Sequence, residues 1–286
     1  MNINTSLGTL SSKNEFIGRH IGPSEQDKKS MLQELGFTNS DELISKIVPK
    51  SILNKEIMNV GTGISEYEIL ADLKKTMRQN KIFQSLIGMG FHDTITPSVI
   101  LRNVFENPVW YTAYTPYQPE ISQGRLQSLL NFQTMICDLT AMEISNSSLL
   151  DEGTAAAEAI AMAYAVSKKQ NVNSFVVHPD THPHVLEVLK TRAEPLGLEM
   201  LIADPAKHDF LKKEIFAALF QYPSSSGRVE NYKDITQKLH DHGALVIAAV
   251  DLLSLTLLTP PGEWGADMVV GNSQRFGVPD MLFAGL

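Results

Sequence analysis

Cysteine is almost missing from this chain: Cys137 is alone in 286 residues. No intrachain disulfide and no thiolate metal cluster can form, and a reducing compartment suits such a sequence. Basic residues are also scarce, 24 Lys and Arg against 32 Asp and Glu, for a formal net charge of −8. That balance excludes a general nucleic-acid surface, which needs clustered cations, and offers nothing to an anionic membrane. The most apolar run, "ALVIAAVDLLSLTLL", is too short to span a bilayer and is interrupted by Asp251, Ser254 and Thr256. The first fifteen residues hold Lys13 but no Arg and no apolar core, so neither a secretory signal nor an Arg-rich transit peptide is visible. The expectation is a cytoplasmic protein with no nucleic-acid or membrane partner. One further absence matters later: no lysine follows Lys238.

What is present suits a soluble fold, with 43% hydrophobic and 20% charged residues. Residues 1–12 are polar and read as a loose terminus. A first helix opens at Pro23 and Ser24, carries Met31, Leu32 and Leu35 on one face, and stops at Gly36. A second starts at "SEYE", where Ser65 and Glu68 have capping-box spacing. These define a flexible terminus and small helical region over 1–85. Residues 86–286 form an α/β domain by the same reading. It opens with a stretch rich in Gly, Pro and aromatics (86–121), in which Thr96 and Pro97 suit the cap and first position of a short helix.

Beyond a long helix from about Ser122 to Leu139, strand and helix patterns alternate. Strands are expected at "MEIS", "SFVVH", "EMLIA", "IFAALFQYP", "ALVIAAVD" and "DMVVG". Helices are expected at "TAAAEAIAMAYAVSK", "HVLEVLKTRAE" and "VENYKDITQKLHDHG". Such alternation implies βαβ units and a mostly parallel sheet with helices on both faces. Ligands bind such sheets beyond the carboxyl ends of the strands. The loops concerned are Ser147–Thr154, His178–His184, Tyr222–Gly227, Asp251 and Gly271–Gln274.

An aliphatic strand ending in Asp251, followed by a short strand and a polar turn at 272–275, has the layout of a pyridoxal phosphate (PLP) site. Such a site needs an acid for the pyridine nitrogen, a phosphate cradle at a helix N-terminus, and a lysine. Asp251 serves as that acid or merely as a solvated strand-end carboxylate. The cradle would lie in "SLLDEGTAAAEA", where Asp151 and Glu152 already bring negative charge to the helix end. The turn offers Gln274 in place of lysine. Two of three requirements fail, so this half-site should not hold PLP covalently.

Other features are less specific. "HPDTHPH" (178–184) lacks metal-ligand spacing and reads as surface or interface histidines, with no metal expected. "WYTAYTPYQ" is either core packing or the wall of a binding surface. Cys137 reads as inert packing, and "GMG" and "GTG" lack nucleotide-binding spacing.

The segments "FIGRHIGP" (16–23), "WYTAYTPYQPEISQGRLQSLLNFQTMICDLTAMEI" (110–144), "SLLDEGTAAAEA" (148–159) and "DLLSLTLLTPPGEWGADMVVGNSQRFGVP" (251–279) closely resemble the N-terminal half of glycine dehydrogenase (decarboxylating), the P-protein family of the glycine cleavage system. The resemblance implies a PLP aspartate-aminotransferase-type (fold type I) large domain. In that family the C-terminal half, in the same chain or another subunit, carries the Schiff-base lysine and PLP. Glycine loses CO2 there, and its aminomethyl group passes to the lipoyl group of the H protein. The implied partners are the PLP-bearing half or subunit, the lipoylated H protein and the other glycine cleavage proteins, in a dimer of paired halves.

Residue by residue, the resemblance puts Gln274 in the lysine slot and Asp251 in the degenerate pyridine-acid slot, with no catalytic or cofactor-binding residue in this half. Tyr111, Tyr114, Ser148, Asp151 and Glu152 are the candidates for a substrate pocket or interface. After Pro279 the family pattern leads one to expect a glycine-rich segment, whereas "DMLFAGL" follows. The expectation is therefore a partial N-terminal region, inactive alone. The competing expectation is a non-catalytic scaffold that only binds the PLP-bearing half; the missing lysine disfavours an independent aminotransferase.

Overall fold

Local capping chemistry builds the first part of the chain. In the computed structural model, which describes residues 15–20, 22–61, 63–89, 91, 93–111, 116–169, 171–204, 207 and 213–278, contacts divide the chain into two units, Met1–Gln84 and Ser85–Leu286. The first unit contains α1 (Glu15–His20), α2 (Glu25–Glu34), α3 (Ser40–Ile47) and α4 (Glu66–Met77). Ser24 and Ser65 close capping boxes with Asp27 and Glu68, satisfying N–H groups that the first helical turn leaves without carbonyl partners. Asn39 caps α3 by accepting from the Glu42 N–H at 2.9 Å. Helix α3 is not among the helices expected from sequence, although Asn39 precedes it as a cap.

The second unit begins with the short helices α5 (Ser98–Ile100) and α6 (Pro108–Tyr111), separated by a π-turn at Leu101–Phe105. Thr96 does not cap α5; Pro97 takes that position. The Thr96 hydroxyl instead donates to the Gly277 carbonyl at 2.5 Å, and Thr94 donates to Val278 at 2.8 Å. Helix α7 (Gln123–Thr140) then ends on Ala141 in a left-handed conformation. "MEIS" is not a strand: residues 142–145 form a loop leading to α8 (Glu152–Val166). Four residues without a neighbouring strand cannot satisfy their own backbone groups, so the alternation there carries no structure.

The sheet comprises β1 (Ser174–Val177), β2 (Glu199–Ile202), β3 (Ala217–Tyr222), β4 (Leu245–Val250) and β5 (Met268–Gly271), in the order β2-β1-β3-β4-β5. Every pairing is parallel. Helices α9 (Pro183–Ala193) and α10 (Lys233–Asp241) complete the unit. Alternating strand residues separate two cores. Phe175, Leu219, Ile247 and Val270 pack with the alanines of α8 and with Val185 and Leu189 of α9. Val176, Phe220, Val246 and Ala248 face Ile136 of α7 and Leu239 of α10. Helices therefore cover both faces, which is why the strands read as continuous apolar runs.

Small residues set the closest approaches. Ala155, Ala156 and Ala163 are fully buried, so α8 lies near the sheet. A Cβ on Gly271 would stand 2.7 Å from the Val250 carbonyl oxygen, and one on Gly262 2.0 Å from that of Ala141. Neither position has room for a side chain. Among the described residues no helix is long and apolar enough to cross a membrane.

Candidate functional site

Parallel strands bring their carboxyl ends to one edge, and the loops there enclose a cavity of about 620 Å³. Four of the five loop regions singled out from sequence contribute two or more of its walls, and Asp251 supplies the fifth. Asp151, Glu152 and Gly153 come from the start of α8, His182 and His184 from the entry to α9, and Pro223, Ser224, Ser225 and Gly227 from beyond β3. Val250 and Asp251 end β4, while Asn272, Gln274 and Arg275 follow β5. Ile87, Met89, Phe91 and Val188 add an apolar side.

The acid end of the cavity is already matched. Arg275 Nε donates to Asp251 Oδ1 at 2.9 Å and Nη2 to Oδ2 at 2.6 Å, a two-pronged ion pair. The Leu253 N–H adds a third bond to Oδ1 at 3.0 Å. Gln274 is fixed by its own backbone N–H, which donates to Asn272 Oδ1 at 2.7 Å in a 3₁₀ turn over Ser273–Phe276.

At the helix end, Asp151 caps α8 by accepting from the Thr154 N–H at 2.6 Å. Glu152 follows on the first turn, partly buried against the cavity. Burial pushes its carboxyl up to about 7, against a hydrogen bond from Gln221 and with the negative charges of Asp251 and Asp151 reinforcing the rise. Gln221, in the middle of the sheet edge, is 1% exposed. Its Nε2 donates to the Ala249 carbonyl at 3.2 Å, and its Oε1 has no hydrogen-bond partner among the described residues.

Histidines form the opposite wall. His182 and His184 stack with centroids 5.6 Å apart, and Phe91 leans on His184 at 5.2 Å. Burial lowers the His184 pKa, with the charge of Asp151 pulling the other way. His182 Nδ1 lies 2.7 Å from Ser225 Oγ. Asp180 ties this loop to the one after β3. Although burial opposes it, hydrogen bonds from Ser224, Ser226 and Arg228 hold its carboxyl down at about 2. Among the described residues no group of three His, Cys, Asp or Glu is placed to hold a metal ion.

The structure thus gathers Asp151, Glu152, Asp251 and Gln274 around one cavity. Ser148 is exposed and outside its lining. Tyr111 is 63% exposed at the end of α6, also outside it. Tyr114 lies outside the described residues. Sequence reasoning missed Gln221 and Arg275. Gln221 did leave a signal, as the one amide in the otherwise apolar strand "AALFQY". Arg275 left none, because its partner is set by the adjacency of β4 and β5.

The arrangement suits PLP poorly. A phosphate at the start of α8 would face Asp151 and Glu152, and a pyridine nitrogen would compete with Arg275 for Asp251. Gln274 has no amine to bond a carbonyl.

Comparison with known proteins identifies the family. Residues 18–285 match the family model "Glycine cleavage system P-protein". The chain is 62% identical over 274 residues to the glycine dehydrogenase (decarboxylating) of Bdellovibrio bacteriovorus, covering 96% of this chain and 28% of that protein. It is 57% identical over 266 residues to the enzyme of that name from a Nostoc species, covering 93% of this chain and 27% of that one. It therefore spans little more than a quarter of the length of these curated relatives. In three dimensions it superimposes with a TM-score of 0.81 and 30% identity on an inhibitor-bound crystal structure of glycine decarboxylase (P-protein), over 93% of this chain and 61% of that one. The aspartate-aminotransferase-type α/β fold expected from sequence is thereby established, and the chain belongs to the glycine cleavage system P-protein family.

Proposed function

We propose that this chain supplies the half of a glycine decarboxylase that does not carry PLP, and that its role is to assemble with a PLP-bearing half and complete the glycine site. The observation that carries the reading is the slot at the end of β5. There Gln274 follows β5 in what the resemblance makes the lysine slot, and Arg275 holds Asp251 in a two-pronged ion pair. PLP, bound on the other half, would supply an electron sink for decarboxylation of glycine. The lipoylated H protein would then receive the aminomethyl group, within a dimer of paired halves alongside the other glycine cleavage proteins.

Tyr111, Tyr114, Ser148, Asp151 and Glu152 are proposed for a substrate pocket or for the surface that meets the other half. Support comes from the exposure of Tyr111 beside a rigid base. Arg125 Nη2 donates to the Val109 and Trp110 carbonyls at 3.2 and 2.8 Å and packs over the Trp110 ring. The same exposure favours a second reading, a purely structural interface at Tyr111. In a complete enzyme, Tyr111→Phe separates them: reduced turnover with intact assembly supports a substrate role, and unchanged turnover supports the scaffold.

The decisive test of the main reading is borohydride reduction of the pure chain after incubation with PLP. Mass spectrometry should find no pyridoxyl-lysine and the chain alone should release no CO2 from glycine. A stoichiometric adduct at any lysine would overturn the assignment.

A further inference from the structure

A slot that suits PLP poorly need not be inert. Its volume of about 620 Å³ falls in the range of small-ligand pockets, and its walls keep the usual mixture of apolar surface with a few convergent polar groups. At the start of α8 those groups are acceptors. Asp151 and Glu152 present carboxylates from the first turn of α8, and Gln221 adds a carbonyl oxygen that is buried and unpartnered. Arg275, the cation in the lining, is committed to Asp251. Burying an acceptor without a donor is destabilising, so an occupant that brings N–H groups meets an unmet demand. In the same lining, Phe91, His184 and His182 form a ladder of rings, with Val188 and Met89 among the apolar residues. Such a wall accepts a flat or apolar body rather than a hydrated ion.

We propose that this cavity is a binding site for a small organic cation with N–H donors, its charged head between Asp151, Glu152 and Gln221 Oε1 and its apolar body against Phe91 and His184. Occupancy of this cavity requires neither PLP nor the other half, so it is tested independently of the glycine chemistry proposed above. An occupant would sit under the ends of β3, β4 and β5 and brace the loops that carry Gln274 and Pro223. That makes it a point at which a metabolite can stabilise this half.

Benzylammonium is the probe, titrated calorimetrically into the full chain, with benzoate and inorganic phosphate as the contrasting anions. The expected result is saturable binding with a Kd of about 1 mM or tighter for the cation only. Affinity should be higher at pH 8, where Glu152 is ionised, than at pH 6. Gln221→Met and Glu152→Gln should each weaken binding by about tenfold, which corresponds to one lost charge-assisted hydrogen bond. Far-UV circular dichroism establishes that each variant is folded. Gln221→Met also removes an unpartnered acceptor, so a loss of binding with an intact melt is a site effect. Absence of saturable binding, equal binding of benzoate, or cation binding indifferent to both variants overturns the proposal. Each of these results leaves the borohydride test of the PLP-free half untouched.

Discussion

The helices of the first unit and the sheet of the second are stabilised by opposite means. Helices α2, α3 and α4 contain no buried residue, and their order rests on side-chain caps at Ser24, Asn39 and Ser65. Strand β3 is buried along all six residues and β1 along all four. A cap is a local contract among residues three apart and survives wherever the neighbouring chain goes. A buried strand exists only through its neighbours in space. The first kind of stability is shallow and segmental; the second is deep and cooperative.

The comparison can be broken most forcefully in the sheet. Phe220 is 1% exposed and lies 4.4 Å from the Tyr232 ring. Phe220→Ala should cost about 3–5 kcal/mol of the unfolding free energy of the α/β unit. Hydrogen exchange should show amides throughout β1, β3 and β4 losing protection together, while those of α2 and α4 keep their wild-type rates. Loss confined to β3 would show that the sheet is not one cooperative body.

A smaller effect sharpens the picture at the site. Glu152 has its carboxyl raised to about 7 in the folded chain against an ordinary 4.5. Between these values the folded state holds a proton that the unfolded state has released, so stability falls as pH rises from about 4.5 and levels off above 7. Glu152→Gln should remove that slope. It should be more stable than the parent above pH 7 by about 1–3 kcal/mol and nearly equal to it below pH 5. Denaturant melts at pH 5 and pH 8 measure this directly. An unchanged pH slope in the variant would show that the carboxyl ionises as it would in water.

The smallest change tests the capped helices. Ser65→Ala removes the hydroxyl that accepts from the Glu68 N–H and should cost about 1 kcal/mol. Only the opening rates of α4 amides should rise, with the melt of the sheet unmoved. A shift of the main transition would mean that α4 belongs to the cooperative core.

How much was legible in the sequence follows the same division. Capping boxes are written in four adjacent letters, so Ser24 and Ser65 were readable without any tertiary knowledge. Strands β1, β3 and β4 were readable because burial on both faces forces unbroken aliphatic runs such as "ALVIAAV". "MEIS" was misread, since an apolar alternation of four residues becomes a strand only beside another strand. Thr96 was misread as a cap for a related reason. Its hydroxyl answers a carbonyl 181 residues away, and nothing local announces that partner.

The cavity was half legible. Strand polarity identifies the edge at which loops converge, and Asp151, Glu152, Asp251 and Gln274 all meet there. The ion pair of Arg275 with Asp251 was not, for it depends on parallel β4 and β5 bringing residues 24 apart into register. Tyr111 and Ser148 show the converse limit. A polar or aromatic loop residue advertises a surface, but its sequence does not say which cavity, if any, it faces.

The threonine clasp also bears on the order of assembly. Thr94 and Thr96 are synthesised 184 and 181 residues before the carbonyls of Val278 and Gly277 that accept their protons. At ribosomal speeds of about 5–20 residues per second, that interval is roughly ten to forty seconds. Through it, the early segment stands without its latch while β1 to β4 are completed in turn. Closing so long a loop adds entropy cost only logarithmically with length, so the delay is kinetic rather than energetic. The turn after β5 is thus added only after β1 to β4, and the segment around Thr96 waits through that interval for the carbonyls it donates to.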